Sequence, residues 1–168
     1  LPGAPVLYYG DEIGMGDDAS LPDRSGVRTP FQWDDGPNAG FSSAPPERLY
    51  SPVIGGPVYG PQSVNLRAQQ ADPNALLHVV RRLIAARKRL PLLADGALAW
   101  LPDAPRASLC FWRRGDGASL LALHNLAGGP LEVALPPGRF TDALADSPAC
   151  EGLVTLPPYG FRWLLPSG

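Results

Sequence analysis

Ala4-Pro5-Val6-Leu7-Tyr8-Tyr9-Gly10 is the stretch on which the fold turns. It is a short apolar run closed by a glycine. It has no polar alternation, so it reads as a strand apolar on both faces, the kind buried inside a parallel sheet. Such a strand needs neighbours on either side. The next sixty or so residues show no sustained hydrophobic period, and long irregular stretches of that kind in compact domains are usually functional. A helix follows at 73–90. Asp72 is placed to cap it, Pro73 stands at its first position, and Arg87, Lys88 and Arg89 stand in its last turn. Leu76, Leu77, Val80, Leu83 and Ile84 give it an apolar stripe, and Pro91 ends it. A lone parallel strand and one helix do not make a domain. The order therefore reads as the tail of a larger α/β protein.

The remainder has a different texture. Short strands are expected at 97–101, 108–113, 119–126, 131–135, 139–142, 152–156 and 160–165, spaced about ten residues apart, which suggests an antiparallel sandwich. Gly115-Asp116-Gly117 and Gly128-Gly129-Pro130 read as hairpin-type breaks. The strand at 108–113 is apolar on both faces, with Cys110 and Trp112 on one and Leu109 and Phe111 on the other, so it is expected to be central or covered.

Composition bounds the function. The chain has 168 residues, 45% apolar and 18% charged. That apolar content argues against disorder despite 19 Gly and 21 Pro. The length falls short of the roughly 250 residues of a complete (β/α)₈ barrel. Net charge is −2, with nine acids against four bases in residues 1–72 and seven against ten in 73–168. The bases are not gathered with aromatics on a stripe, so no nucleic-acid partner is expected. The five bases of the helix read as a solvated face and a C-terminal cap. No apolar run approaches the roughly 20 residues of a membrane span and no signal peptide is seen, so a cytoplasmic protein without a membrane partner is expected. Cys110 and Cys150 fit no metal spacing; two free thiols is the plainer reading, with a disulfide unsupported. His78 and His124 read as packed or surface side chains.

Two places could carry chemistry. Asp11 and Glu12 follow the strand, where α/β folds put their sites. Adjacent side chains on an extended chain diverge, however, and suit a carboxyl pair about 5–5.5 Å apart poorly. Local structuring of the loop is the alternative. Asp23-Arg24-Ser25-Gly26-Val27-Arg28-Thr29-Pro30-Phe31-Gln32-Trp33-Asp34 is the densest polar and aromatic cluster. Arginine forks bind oxygens with fixed geometry and aromatic faces stack on sugar rings. A ligand site and a loop held by ion pairs both fit it. No phosphate loop, zinc spacing or nucleophile elbow is present.

That cluster, taken with residues 1–15, resembles glycoside hydrolase family 13, the α-amylase superfamily. Leu-Pro-Gly-Ala-Pro-Val-Leu-Tyr-Tyr-Gly-Asp-Glu-Ile-Gly-Met is similar to the family's last barrel strand. Arg28-Thr29-Pro30-Phe31-Gln32-Trp33 resembles its Arg-Thr-Pro-Met-Gln-Trp motif, with Phe31 in place of the usual Met. Asn38-Ala39-Gly40-Phe41-Ser42 follows as in the α-glucosidase-like branch. The stretch from Pro57 to Gln70 and the close at Pro157-Pro158-Tyr159-Gly160-Phe161-Arg162-Trp163 narrow the likeness to enzymes that interconvert maltose and trehalose.

The resemblance implies a fold and a role. Residues 1–92 would be the last strand, long βα loop and last helix of a (β/α)₈ TIM barrel, and residues 93–168 an antiparallel β-sandwich domain. The reaction would be retaining intramolecular transglucosylation of an α-glucoside, on an Asp nucleophile, a Glu acid/base and a second Asp carried by earlier barrel strands. No acid here matches those three, so no catalytic residue is expected in this chain. Arg28 matches a substrate-binding arginine, while Asp11, Glu12, Asp23, Arg24, Gln32 and Trp33 belong to the expected active-site loop. The partners implied are an upstream barrel of the same chain and the α-glucoside itself. The unpaired strand and the helix stripe leave a homo-oligomer open. No cofactor or metal is expected here; calcium, where the family holds it, sits in earlier domains, and Asp17 and Asp18 alone fall short of six to eight oxygens. Two further readings stand beside this one, an oligo-1,6-glucosidase or α-glucosidase-type hydrolase and a non-catalytic carbohydrate-binding or stability module.

Overall fold

A computed structural model describes residues 2–167; Leu1, which opens the family-like motif, lies outside the described residues. The chain divides into two compact units, Pro5–Arg82 and Leu83–Gly168 with Leu1–Ala4.

In the first unit the expected strand does not form. Residues 4–9 have no ladder partner among the described residues, and Val6 and Leu7 are 87% and 56% exposed. A strand exists only through hydrogen bonds to its neighbours. Apolar character by itself therefore leaves this segment extended and uncovered. The long irregular region is built of single 3₁₀ turns at Asp11–Ile13, Ser25–Arg28, Pro37–Gly40 and Pro46–Arg48, and then a short helix, α1 (Leu66–Ala71). Asn65 caps α1, its Oδ1 accepting from the Ala68 N–H at 2.7 Å.

Helix α2 spans Leu76–Arg89, three residues later than the expected start. Asp72 ends α1 and still caps locally, but what it caps is the Asn74 N–H, at 2.9 Å, in a turn that precedes the helix. The Leu77 N–H at the start of α2 is taken instead by Oε1 of Gln69, at 3.1 Å. The apolar stripe is only partly covered: Leu77 is buried, while Leu76 and Ile84 are exposed. Among the described residues no helix is long and apolar enough to cross a membrane.

The second unit is antiparallel throughout. Strands β1 (Ala97–Trp100), β2 (Ser108–Gly115), β3 (Ala118–Asn125), β7 (Phe161–Ser167) and β5 (Arg139–Asp142) form one sheet in that order, and β4 (Leu131–Ala134) pairs with β6 (Leu153–Leu156) in another. The alternation along β2 and β3 sorts the core. Cys110, Trp112, Leu121 and Leu123 point to one face and pack with Leu164 of β7, Phe140 of β5 and Val133, Val154 and Leu156 of the two-stranded sheet. Phe111, Leu120 and Ala122 point to the other face and are covered by Leu92 and Leu93 of a short helix, α3 (Leu92–Asp95). Each such buried Leu or Phe contributes about 1.5–3 kcal/mol. Cys110 is buried, Cys150 half-buried, and both are free.

Asp116 (φ 49°) and Gly117 (φ 77°) are both left-handed and join Gly115 to Ala118, which face each other across the β2–β3 pair. This is the Asp-Gly turn whose twist matches paired strands. Gly128-Gly129-Pro130 is not a hairpin, contrary to expectation. It carries the chain from β3 in one sheet to β4 in the other. The deciding element is Asn125, 2% exposed. Its Nδ2 donates to the carbonyls of Gly129 (2.7 Å) and Pro157 (2.8 Å), and its Oδ1 accepts from the Ala127 N–H (2.9 Å).

His124 stands on β3 between two rings, 5.9 Å from Phe111 and 6.1 Å from Phe161, both near parallel. Its Nδ1 lies 3.0 Å from the Leu109 carbonyl, so Nδ1 carries the proton. Burial pushes its pKa below the ordinary histidine value, against the opposing pull of the Leu109 carbonyl. In an unfolded chain the imidazole titrates near pH 6.5. As pH falls below that value the unfolded chain takes up a proton that the folded chain resists. The contribution is therefore whole above about pH 6.5 and is lost as pH drops through the lowered folded pKa. Thermal melts at about pH 7.5 and about pH 5.5 should show a larger fall in Tm for the natural chain than for His124→Asn, whose amide keeps a donor without a titration. Equal falls would assign the acid sensitivity to another group.

Candidate functional site

The polar and aromatic cluster is held by its backbone. The Ser25–Arg28 turn is clamped to the preceding loop, the Asp18 N–H donating to the Gly26 carbonyl at 3.2 Å. Gly26 is buried, and a Cβ there would run into the Asp18 carbonyl, so only glycine allows this approach. Asp18 is turned back on its own loop. Its Oδ1 accepts from the Ser20 hydroxyl (2.6 Å) and N–H (3.0 Å), which holds its carboxyl below the usual range.

After the turn, Thr29 is buried and its carbonyl accepts from the Tyr9 hydroxyl at 3.0 Å. Gln32 is fully buried, and its Nε2 donates to the carbonyls of Tyr59 (3.0 Å) and Val64 (2.7 Å). The Gln32 and Trp33 carbonyls accept from the N–H groups of Leu66 (2.9 Å) and Arg67 (3.0 Å) at the start of α1. The Trp33 N–H donates to the Ala39 carbonyl at 2.9 Å, on a turn where Asn38 and Ala39 are both left-handed. Asn38 steadies that turn by donating to the carbonyls of Ser42 (2.9 Å) and Ala44 (2.7 Å). Trp33 thus has a fixed backbone and is itself 50% exposed.

These bonds leave a cavity of about 370 Å³ lined by Tyr9, Arg28, Thr29, Pro30, Phe31, Trp33 and Phe41. Phe31 and Trp33 meet edge to face at 4.8 Å, and Phe41 is 51% exposed. Arg28 is the one charged side chain in the lining, and no carboxylate lines it. Burial, then the neighbouring Tyr8, raises the Tyr9 pKa, while the Arg28 charge works the other way. An apolar aromatic wall with one guanidinium fork suits a neutral polyhydroxylated ring, with stacking on its faces and donation to its hydroxyls. It offers no carboxylate to act as nucleophile or acid on that ring.

Arg28 and Trp33 are therefore the two expected site residues that the fold brings together. Asp23 and Arg24 are exposed and do not line the cavity. Gln32 is a bracket behind it. Asp11 and Glu12 staple their own turn, accepting from the N–H groups of Tyr8 (2.8 Å) and Gly10 (2.9 Å). The ion pairs of the region come from Arg67, to Asp35 and at 3.6 Å to Asp34, and draw on only one acid of the quoted cluster. Arg67 holds the Asp35 carboxyl below its usual range. Tyr9 and Phe41 were missed as lining residues. Tyr9 is hidden in the strand-like run, and Phe41 becomes a wall only through the left-handed turn at Asn38. Among the described residues no group of three or more His, Cys, Asp or Glu side chains comes together to hold a metal.

The family model for the α-amylase catalytic domain matches residues 1–96. The chain belongs to the α-amylase family. A second family model, the C-terminal immunoglobulin-like domain of D-apionate lactonase, matches residues 105–164 of this α-amylase-family chain, in the two-sheet unit. Among relatives, the trehalose synthase of Pimelobacter sp. is 44% identical over 97% of the chain and 31% of its own length. The trehalose synthase/amylase TreS of Mycobacterium tuberculosis is 42% identical over 97% of the chain and 29% of its own length. A salivary alpha-glucosidase of Anopheles gambiae is 40% identical over 81% of the chain and 25% of its length. The solved α-amylase from H. orenii superposes with a TM-score of 0.76 at 25% identity, covering 99% of the chain and 33% of that structure. The chain thus spans less than a third of each curated relative.

Proposed function

We propose that the chain serves as the C-terminal part of an enzyme that interconverts maltose and trehalose by retaining intramolecular transglucosylation. The observation that carries this reading is the likeness to trehalose synthases along 97% of the chain, which includes the loop that builds the aromatic cavity around Arg28. Residues 1–92 would complete the catalytic barrel and residues 93–168 form the appended β domain. The uncovered Val6 and Leu7 suit a strand whose ladder partners lie on an upstream barrel. Arg28 would hold a glucose hydroxyl, and Phe31 and Trp33 would shield the ring from water, as a reaction that must re-join glucose before water takes it requires. The catalytic carboxylates would come from that upstream barrel.

The likeness to the mosquito α-glucosidase supports a second reading, a hydrolase on the same scaffold. One set of reactions separates them. The full-length enzyme given maltose should release mainly trehalose, whereas glucose without trehalose would assign the hydrolase. Arg28→Ala in that enzyme should lower kcat/KM more than tenfold, above about 1.4 kcal/mol of transition-state binding. An unchanged value would remove Arg28 from the site. The 168-residue chain alone should give neither product, and trehalose from it would overturn the division of labour.

A further inference from the structure

We propose that the face of α2 bearing His78, Arg81 and Arg82 is a binding site for a phosphoryl group, on a cavity whose lining shares no residue with that of the aromatic one. The spacing is i, i+3, i+4, so the three side chains share one side of the helix. Together with Gln70, Ala71 and Pro73 they line a cavity of about 350 Å³. No carboxylate lines it. Asp72, the nearest acid in sequence, is turned to the Asn74 N–H at 2.9 Å.

Three features of this cavity call for an anion. Among the described residues, no ion pair or side-chain hydrogen bond engages Arg81 or Arg82, so two guanidinium groups line one cavity without a counter-charge. The Nε2 of His78 is buried and has no hydrogen-bond partner, an unusual state for a polar atom in that position. The remaining polar side chain, Gln70, adds a neutral amide and no competing charge. Guanidinium forks match the paired oxygens of a phosphoryl group, whose double charge suits two of them, and the His78 Nε2 is a polar atom still in need of a partner. The volume exceeds that of a lone ion, leaving room for a small group attached to the phosphate.

Calorimetric titration of the 168-residue chain with inorganic phosphate, glucose 6-phosphate and glucose tests this. Saturable phosphate binding is expected, with a Kd of about 1 mM or tighter. Arg81→Gln combined with Arg82→Gln should weaken it about tenfold or more, and His78→Gln alone by a smaller factor. Lys88→Gln combined with Arg106→Gln, which removes the same net charge elsewhere, should leave it unchanged. The exposed positions of Arg81 and Arg82 keep the fold out of the comparison, which circular dichroism checks. Tighter binding of glucose 6-phosphate than of phosphate would identify a phosphorylated sugar as the occupant, and equal binding the free ion. Absence of saturable heat up to about 10 mM phosphate would overturn the proposal. So would equal weakening in the two double variants, or glucose binding as well as glucose 6-phosphate. None of these outcomes depends on the fate of maltose.

Discussion

Asn125→Asp should destabilise the two-sheet unit by about 3–5 kcal/mol, although it changes one NH₂ group for an oxygen. The Asn125 amide donates to the Gly129 and Pro157 carbonyls and accepts from the Ala127 N–H, all in a site that is 2% exposed. Aspartate keeps the acceptor and loses both donors. It also turns a charged oxygen toward two carbonyl oxygens where water cannot screen it. For a unit of this size each kcal/mol is worth roughly 4–8 °C, so a fall in Tm of more than about 12 °C is expected. Asn125→Ala should fall as well but by less, because the carbonyls lose their donors without gaining a repulsive charge. A Tm within about 2 °C of the natural chain for the aspartate variant would show that the two turns are held by something else.

Arg113→Ala should cost about 3 kcal/mol, a large loss for a charged residue that makes no ion pair among the described residues. Arg113 lies on β2 and is 1% exposed. Its Nε donates to the Leu92 carbonyl at 3.3 Å and its Nη2 to the Leu93 carbonyl at 3.2 Å, fastening α3 over the sheet. Its Nη1 is buried without a partner. Alanine leaves a cavity the length of the side chain and uncovers the Leu92 and Leu93 contacts. Leu92 and Leu93 keep other donors, the Gly96 N–H at 3.0 Å and Arg87 Nη1 at 3.2 Å, so most of the loss should come from packing. Arg113→Met separates the two contributions. It fills most of the volume and removes a charge whose burial is unfavourable, so it should lose less than half of what alanine loses. Urea unfolding of both variants measures this. Equal losses for Met and Ala would assign the stability to the hydrogen bonds.

The β domain was the most legible part of the chain. The two apolar faces of β2, Cys110 and Trp112 on one and Leu109 and Phe111 on the other, and the Asp-Gly turn at Asp116 are local signals, and a strand with two covered faces states its surroundings in its own composition. Arg113 was not legible. At the end of that apolar run it looks like the polar end of a strand, and only the carbonyls of α3 make its burial tolerable. The start of α2 misled for a related reason. Asp72 and Pro73 are good starting residues, yet Asp72 already closes α1 as its extended C-cap, and Gln69 supplies the cap from outside the helix.

The site divides in the same way. Arg28, Phe31, Gln32 and Trp33 were legible as a group because arginine and aromatic rings are dense there. Their separate tasks were not. Gln32 and Trp33 are neighbours in sequence; one points into the protein to hold two carbonyls and the other points out to form a wall. Phe41 reaches that wall through a left-handed turn that no periodicity announces.

Residues 4–9 mark the boundary between the two kinds of information. Their apolar composition by itself determined that this segment wants partners on both faces, just as the apolar run of β2 determined that both of its faces want cover. Whether those wants are met was decided by tertiary structure alone. Hydrogen-bond ladders and buried surface belong to pairs of segments, so Leu121 is covered by its neighbours and Val6 is not.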